Sequence, residues 1–300
     1  MQIPHLLLLS LLLGVGLPAF AAETSGADAL LAAYRDLRPK LDTNAFGVPI
    51  HVESSEQGNL KRGEVYGVVA HPFTRLAEVL GTPREWCAIA LLHLNIKTCT
   101  HGRTGEGEWL NFYSGRKFYE PPEKAYMLRY TFHVEAARAD YLAVTLTAES
   151  GPLGTTDYRI TLEAVPLESG AFVHFRYAYR TSLMSSVATT GYLATLGSGK
   201  LGFTVIGHDR EGKPEYVGGV RGIVERNAVR YYLAIQAFLE SLNAPETQRT
   251  EQRFQRWFEL TERYPAQLHE LERADYLRYK RQELAQQLER QQTLDAAATR

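Results

Sequence analysis

Neither sign of charge is in excess in this 300-residue chain: thirty-three Lys and Arg stand against thirty-four Asp and Glu, leaving a net charge of −1. No cationic field is available to hold a nucleic-acid backbone, so nucleic acid is not an expected partner. Cysteine is nearly absent. Cys87 and Cys99 alone are too few for a metal cluster, and His93 and His101 near them complete no zinc spacing. There is no His-Glu-x-x-His pair and no Gly-x-Ser-x-Gly elbow. Gly197-Ser198-Gly199-Lys200 begins like a phosphate loop, but Leu201 stands where Ser or Thr is required and Ala194 takes the first glycine's place, so it reads as a turn. No motif names a reaction, and no cofactor is implied. Apolar runs long enough to span a bilayer, about 20 residues, are missing as well.

The longest apolar run, Leu6 to Leu13, is followed by Gly14, Gly16, Pro18 and the small-x-small triplet Ala19-Phe20-Ala21. This pattern predicts a secretory leader over residues 1–21, cut before Ala22, and hence a periplasmic or secreted mature chain. The amino-terminal stretch carries no Lys or Arg, so the leader is recognised by its apolar run and its cleavage site. Export makes a Cys87–Cys99 bridge chemically permitted, and a disulfide between them is the expectation. Two small buried thiols are the alternative.

With 45% hydrophobic and 22% charged side chains, the chain has the composition of a folded globular protein. Glycine marks a change of architecture, because none of the 24 lies beyond Gly222. Pro245 and Pro265 divide the glycine-free tail into helical runs at about 220–243, 246–264 and 266–292. In the first, Val224, Ala228, Tyr231, Ile235, Phe238 and Leu242 define one apolar face. The other two read as an amphipathic hairpin with a solvated outer side.

Before Gly222 the period is two. Tyr126, Leu128, Tyr130, Phe132 and Val134 alternate with Met127, Arg129, Thr131 and His133. Residues 142–148, 158–164 and 173–179 repeat the pattern, which predicts an antiparallel meander with one wet face carrying His133 and His174. Shorter strands are expected at 48–56, 60–70, 95–101 and 108–115. Short helices are expected from Pro72 and from Pro83, and another at 27–41.

This order resembles the START-like, or helix-grip, superfamily. The residues that carry the resemblance are Gly63 to Ala70 leading into Pro72-Phe73 and the Trp86 helix, the strands from Lys124 to Arg180, and the helix through Val224 to Leu233. The resemblance covers residues 48–243 and implies an α+β fold in which a curved antiparallel sheet wraps a long C-terminal helix, here with a C-terminal helical hairpin added. Residues 22–47 then form an N-terminal helix and lead-in, and 244–300 a helical extension.

A START-like cavity implies a hydrophobic or amphiphilic, lipid-like ligand. Tyr126, Tyr130, Tyr158, Tyr177 and Tyr179 fall on the apolar strand faces and offer hydroxyls within an oily wall, although a filled core would carry the same pattern. Tyr231 on the long helix, and Arg230 beside it at the expected cavity rim, complete the candidate ligand-binding set. Two other functions fit the same resemblance: a polyketide cyclase or dehydratase-like enzyme, or an interaction module that meets a protein partner, or a second copy, through residues 245–300.

Overall fold

The structure, a computed structural model, describes residues 26–194 and 199–298. The expected leader and residues 197–198 of the Gly197–Lys200 turn lie outside the described residues. Helix α1 (Gly26–Asp42) precedes the hairpin β1 (Ile50–Gln57) and β2 (Leu60–Val69), then helices α2 (Phe73–Leu80) and α3 (Pro83–Ala90). A meander follows: β3 (Ile96–Thr104), β4 (Gly107–Ser114), β5 (Tyr126–Ala137), β6 (Leu142–Ser150), β7 (Thr156–Leu167) and β8 (Gly170–Arg180). Helix α4 (Leu183–Ala194) and a small hairpin, β9 (Val205–His208) with β10 (Pro214–Tyr216), lead to α5 (Gly219–Ser241). The chain ends in α6 (Glu246–Thr261), α7 (Pro265–Leu268) and α8 (Arg273–Ala298).

The eight long strands form one antiparallel sheet in the order β1-β2-β8-β7-β6-β5-β4-β3. Register shifts between Val134 and Ala136 and between Thr156 and Arg159 are the irregularities that bend such a sheet. The alternation in β5 is realised: Leu128, Tyr130 and Phe132 are buried, whereas Met127, Arg129, Thr131 and His133 are exposed. Helix α5 lies in the concave face, and two glycines of β2 let it come close. A Cβ on Gly63 would stand 2.5 Å from the Val224 carbonyl oxygen, and one on Gly67 would stand 2.1 Å from the Tyr232 hydroxyl. This is the helix-grip fold. One apolar face was expected on α5, but the helix is buried nearly all round, because Phe254 and Trp257 of α6 cover the side that the sheet leaves open.

Later parts of the chain contact both sheet edges, β1 at the Val52 carbonyl and β3 at Ile96, Cys99 and His101. At β1, the Thr204 hydroxyl donates to the Val52 carbonyl at 3.2 Å. At β3, Gln287 and Gln291 of α8 stand one helical turn apart and accept the backbone N–H groups of Cys99 (2.8 Å) and His101 (3.0 Å), and Gln291 returns a bond to the His101 carbonyl. A helix thereby satisfies the strand groups that another chain would otherwise pair with. The run expected at 266–292 is broken between Leu268 and Arg273, which lets α8 turn onto this edge. It is fastened there by a buried triad. Glu283 accepts from Lys97 (2.9 Å) and Lys280 (2.7 Å), and the two ammonium groups also donate to the carbonyls of Leu94, His93 and Ile96. With Trp257 and Tyr276 at 1% and 0% exposure, the C-terminal helices form part of the core, and the hairpin expected to lie outside it does so only along its outer side.

The convex face is not uniformly wet, which corrects the expectation for His174. Helix α1 covers its middle through Ala27, Leu30 and Leu41, which pack with Tyr141, Val165 and Phe172. Beside this patch the buried His174 ring stacks on Tyr66 and sits between two carboxylates, with Nε2 2.7 Å from Glu64 and Nδ1 3.2 Å from Glu163. His133, by contrast, is exposed as expected. Burial alone would lower the His174 pKa, but hydrogen bonds to Glu163 and Glu64 outweigh it and raise the value. Burial pushes Glu64 upward, yet His174 and Arg176 together bring it down to about 2.

Two predictions follow from these buried charges. Stabilisation by protonated His174 is complete below its unfolded value near 6.5 and is lost as pH rises through the raised folded value. The Glu64 contribution is complete above 4.5 and is lost as pH falls toward 2. Urea unfolding across a pH series should therefore show a stability maximum between these limits. His174→Gln should flatten the alkaline side, and an unchanged alkaline slope in that variant would contradict the assignment. Glu283→Gln strands two buried ammonium groups and should cost about 3–5 kcal/mol in the same assay. A loss within error of zero would mean that α8 is not held as described.

Candidate functional site

The space between the sheet and α5 is not wholly filled. A cavity of about 280 Å³ lies where β7 and β8 face α5, and Tyr158, Tyr177, Tyr179, Tyr231 and His93 form the aromatic part of a wall that also carries hydroxyl and amide side chains such as Thr155, Ser185 and Asn227. Tyr158 and Tyr179 stack at 5.3 Å, and Tyr231 lies 6.0 Å from Tyr177. Period two brings Tyr177 and Tyr179 to one face of β8, and the i, i+4 spacing brings Asn227 and Tyr231 to one face of α5. Only the Tyr158 hydroxyl has a side-chain partner, Thr155 Oγ1 at 2.8 Å. Among the described residues the hydroxyls of Tyr177, Tyr179 and Tyr231 form no hydrogen bond with the protein. Burial raises the pKa of all four tyrosines, Tyr179 to about 12, so each phenol keeps its proton at neutral pH. The wall thus offers ring faces together with neutral hydroxyl groups able to donate or accept.

A second lobe of about 290 Å³ adjoins the first, sharing Asn95, Leu153, Thr189 and Asn227. Its wall is mixed: Ile223 and Ala188 lie beside Lys117, Arg226 and Arg230. Arg230 is the residue whose surroundings differ most from expectation. It is 3% exposed and donates to Glu270 at 3.0 Å, a carboxylate that Lys117 (2.6 Å) and Lys200 (3.1 Å) also hold. Burial opposes ionisation of Glu270, but Arg230, Lys117 and Lys200 outweigh it and lower its pKa. Arg230 therefore serves as a strut between α5 and the break that follows α7, in addition to lining the lobe.

Tyr130 and Tyr126 do not reach either lobe. Tyr130 is buried against Phe112 at 4.9 Å, and Tyr126, at the start of β5, is 41% exposed. Parity assigned both to the right face, but a strand's first residue projects beyond the layer that covers its middle. Cys87 and Cys99 are joined in a disulfide between α3 and β3. A larger groove of about 500 Å³ runs beside it between α3, α6 and α8. Its walls mix charged groups and glutamines with Ala88, Leu284, Leu288 and the disulfide, and Arg249 and Arg253 there are occupied in binding the carboxyl end of α5.

His93, Asn95, Lys117 and Asn227 line the cavity without having stood in the sequence-derived set. Asn227 was legible through its i, i+4 relation to Tyr231. His93 sits at the end of the Trp86 helix, where no sequence neighbour reveals its role. It is 3% exposed, stacks on Tyr231 at 4.6 Å, and accepts the Asn95 backbone N–H on Nδ1 at 3.2 Å. Its Nε2 is buried without a hydrogen-bond partner among the described residues. Leaving such a group unmatched costs about 1–3 kcal/mol.

Because Arg230 is a strut, Arg230→Ala should weaken the fold. The expected loss is about 1–3 kcal/mol, since Lys117 and Lys200 still compensate Glu270. An unchanged urea midpoint would return Arg230 to the role of a cavity-rim residue that spares the fold.

No family model and no curated protein matches this chain. Solved structures are similar to it in fold. A START superfamily protein from Mycobacterium smegmatis matches at 14% identity with a TM-score of 0.30, over 47% of this chain and 93% of that one. Ara h 8.0201 matches at 10% identity with a TM-score of 0.34, over 64% and 99% of the two chains, and human STARD10 at 8% and 0.30, over 56% and 76%. The helix-grip fold of this chain stands on its own sheet order and on the helix that the sheet encloses.

Proposed function

We propose that the protein is an exported binding or carrier protein for an amphiphilic small molecule held between the sheet and α5. The observation that carries this reading is the unfilled, tyrosine-walled space whose hydroxyls have no full set of partners within the protein. Ring faces and apolar walls favour the body of such a ligand through burial, while the phenols match a few of its polar atoms. In this reading residues 48–243 hold the ligand. Helix α1 and helices α6 to α8 buttress the sheet from its two sides, and the leader at 1–21 delivers the chain to the periplasm or the exterior. Because the C-terminal helices are part of the core, truncation at residue 245 would remove support for the sheet as well as any surface for a partner.

Native mass spectrometry of protein purified from its own compartment, followed by solvent extraction, tests the reading. The expected result is a mature chain beginning at Ala22 with one small amphiphile released on denaturation. An empty chain that also takes up none of a panel of added amphiphiles would overturn the proposal.

A further inference from the structure

The two lobes of the cavity meet at a neutral collar. Asn95, Leu153, Thr189 and Asn227 line both lobes, and none of them carries a charge. Asn95 comes from the bend between α3 and β3, and Asn227 from α5. The Asn95 carboxamide is held in one orientation, because its Nδ2 donates to the Gly115 carbonyl at 2.8 Å. Its Oδ1 is left as an acceptor with no donor among the described residues. The half-buried Asn227 carboxamide has no hydrogen bond with any described residue, at either its oxygen or its nitrogen. None of these unmatched atoms is sealed inside the protein, so each stays open to whatever occupies the junction. A ligand that spans the lobes strips water from them and loses affinity wherever it fails to replace the bonds that water made. An ether oxygen has no proton to offer Asn95 Oδ1, and a carboxylate sets its own negative oxygens against it. A hydroxyl serves both residues, donating to Asn95 Oδ1 while accepting from Asn227 Nδ2.

Resting on the carrier reading above, we propose that the ligand is an uncharged amphiphile whose hydroxyl group is read at the junction of the lobes by Asn227 and Asn95, while its apolar body lies in the tyrosine lobe. Asn227 is the specificity-determining residue of the pair, because its carboxamide holds no bond within the described structure that a substitution would break. Alcohols and phenols share this chemistry, and the body attached to the hydroxyl distinguishes them.

Calorimetric titration of delipidated full-length mature protein with two matched pairs, decanol with its methyl ether and naphthol with its methyl ether, tests this, with decanoate as the charged counterpart. In at least one pair the hydroxyl compound should bind about tenfold more tightly than its ether and more tightly than decanoate, and the pair that binds identifies the body. Asn227→Leu, nearly equal in volume, should weaken binding of the favoured hydroxyl compound by about tenfold while leaving its ether unaffected. Asn227→Ser restores a small hydrogen-bonding group and should recover part of the loss. Thermal unfolding of each variant checks that the fold is retained, and Asn227→Ala, which adds no bulk, gives the same reading if the Leu variant does not fold. An ether or decanoate that binds as tightly as the hydroxyl compounds, or hydroxyl binding indifferent to loss of the Asn227 carboxamide, would overturn the hydroxyl assignment and leave the carrier reading standing. Binding of none of these compounds would overturn both.

Discussion

The close seat of α5 on β2 governs the rest of the molecule. At Gly63 the helix carbonyl of Val224 occupies the space of a missing Cβ, and at Gly67 the Tyr232 hydroxyl does the same. A larger residue at Gly63 would strike helix backbone and one at Gly67 the tip of the Tyr232 side chain, so the helix lies close against the β1-β2-β8 side of the sheet. On its other flank, rings on β7, β8 and α5 itself intervene: Tyr158, Tyr177, Tyr179 and Tyr231. The helix thus touches backbone on one side and stands off by the thickness of aromatic side chains on the other. That asymmetry, set by two glycines and four tyrosines, places the cavity where it is.

A sheet gripping one helix still leaves its convex face and two edges to be managed, and the flanking segments do this with unusual recourse to buried charge. Helix α1 shields part of the convex face beside His174 and its two carboxylates, and α8 closes the β3 edge with glutamines and the Lys97–Glu283–Lys280 triad. Glu225, wholly buried at the start of α5, accepts from the Phe203 and Thr204 amides and from the hydroxyls of Ser54 and Thr204, which ties β1 and the loop before β9 to the helix. Buried ion pairs repay their desolvation only when their remaining hydrogen-bonding capacity is met. Here carbonyls, amides and hydroxyls meet it, and each group fixes the relative placement of elements far apart in sequence.

The meander and α5 were legible because each has a periodic apolar face, and the helix at 27–41 and the short helices after Pro72 and Pro83 because of their punctuation. Helix α4 was not legible: Leu183, Met184 and Val187 are exposed, so among its described side chains no buried apolar stripe gives it a period. The break between α7 and α8 was missed because Pro265 signals a start while nothing at 269–272 signals a stop. His174 was assigned to the correct face but the wrong environment, since parity says which way a side chain points and nothing about what lies over it. Of the candidate tyrosines, Tyr158, Tyr177, Tyr179 and Tyr231 line the cavity, whereas Tyr126 and Tyr130 lie outside its lining. Arg230 was singled out from its neighbour Tyr231, but its partner Glu270 lies forty residues on, beyond any local pattern.

That distant pairing bears on how the site is built. Glu270 falls in the short break between α7 and α8, so the carboxylate that holds Arg230, Lys117 and Lys200 can reach them only because the helix is interrupted there. A continuous helix would have carried residue 270 along with α8, toward the β3 edge. The same break therefore serves two ends: it frees α8 to reach the β3 edge, and it anchors Arg230 and Lys117 of the cavity wall together with Lys200. The packing of the cavity wall is thus coupled, through one interruption in a helix, to the contact of α8 with a sheet edge.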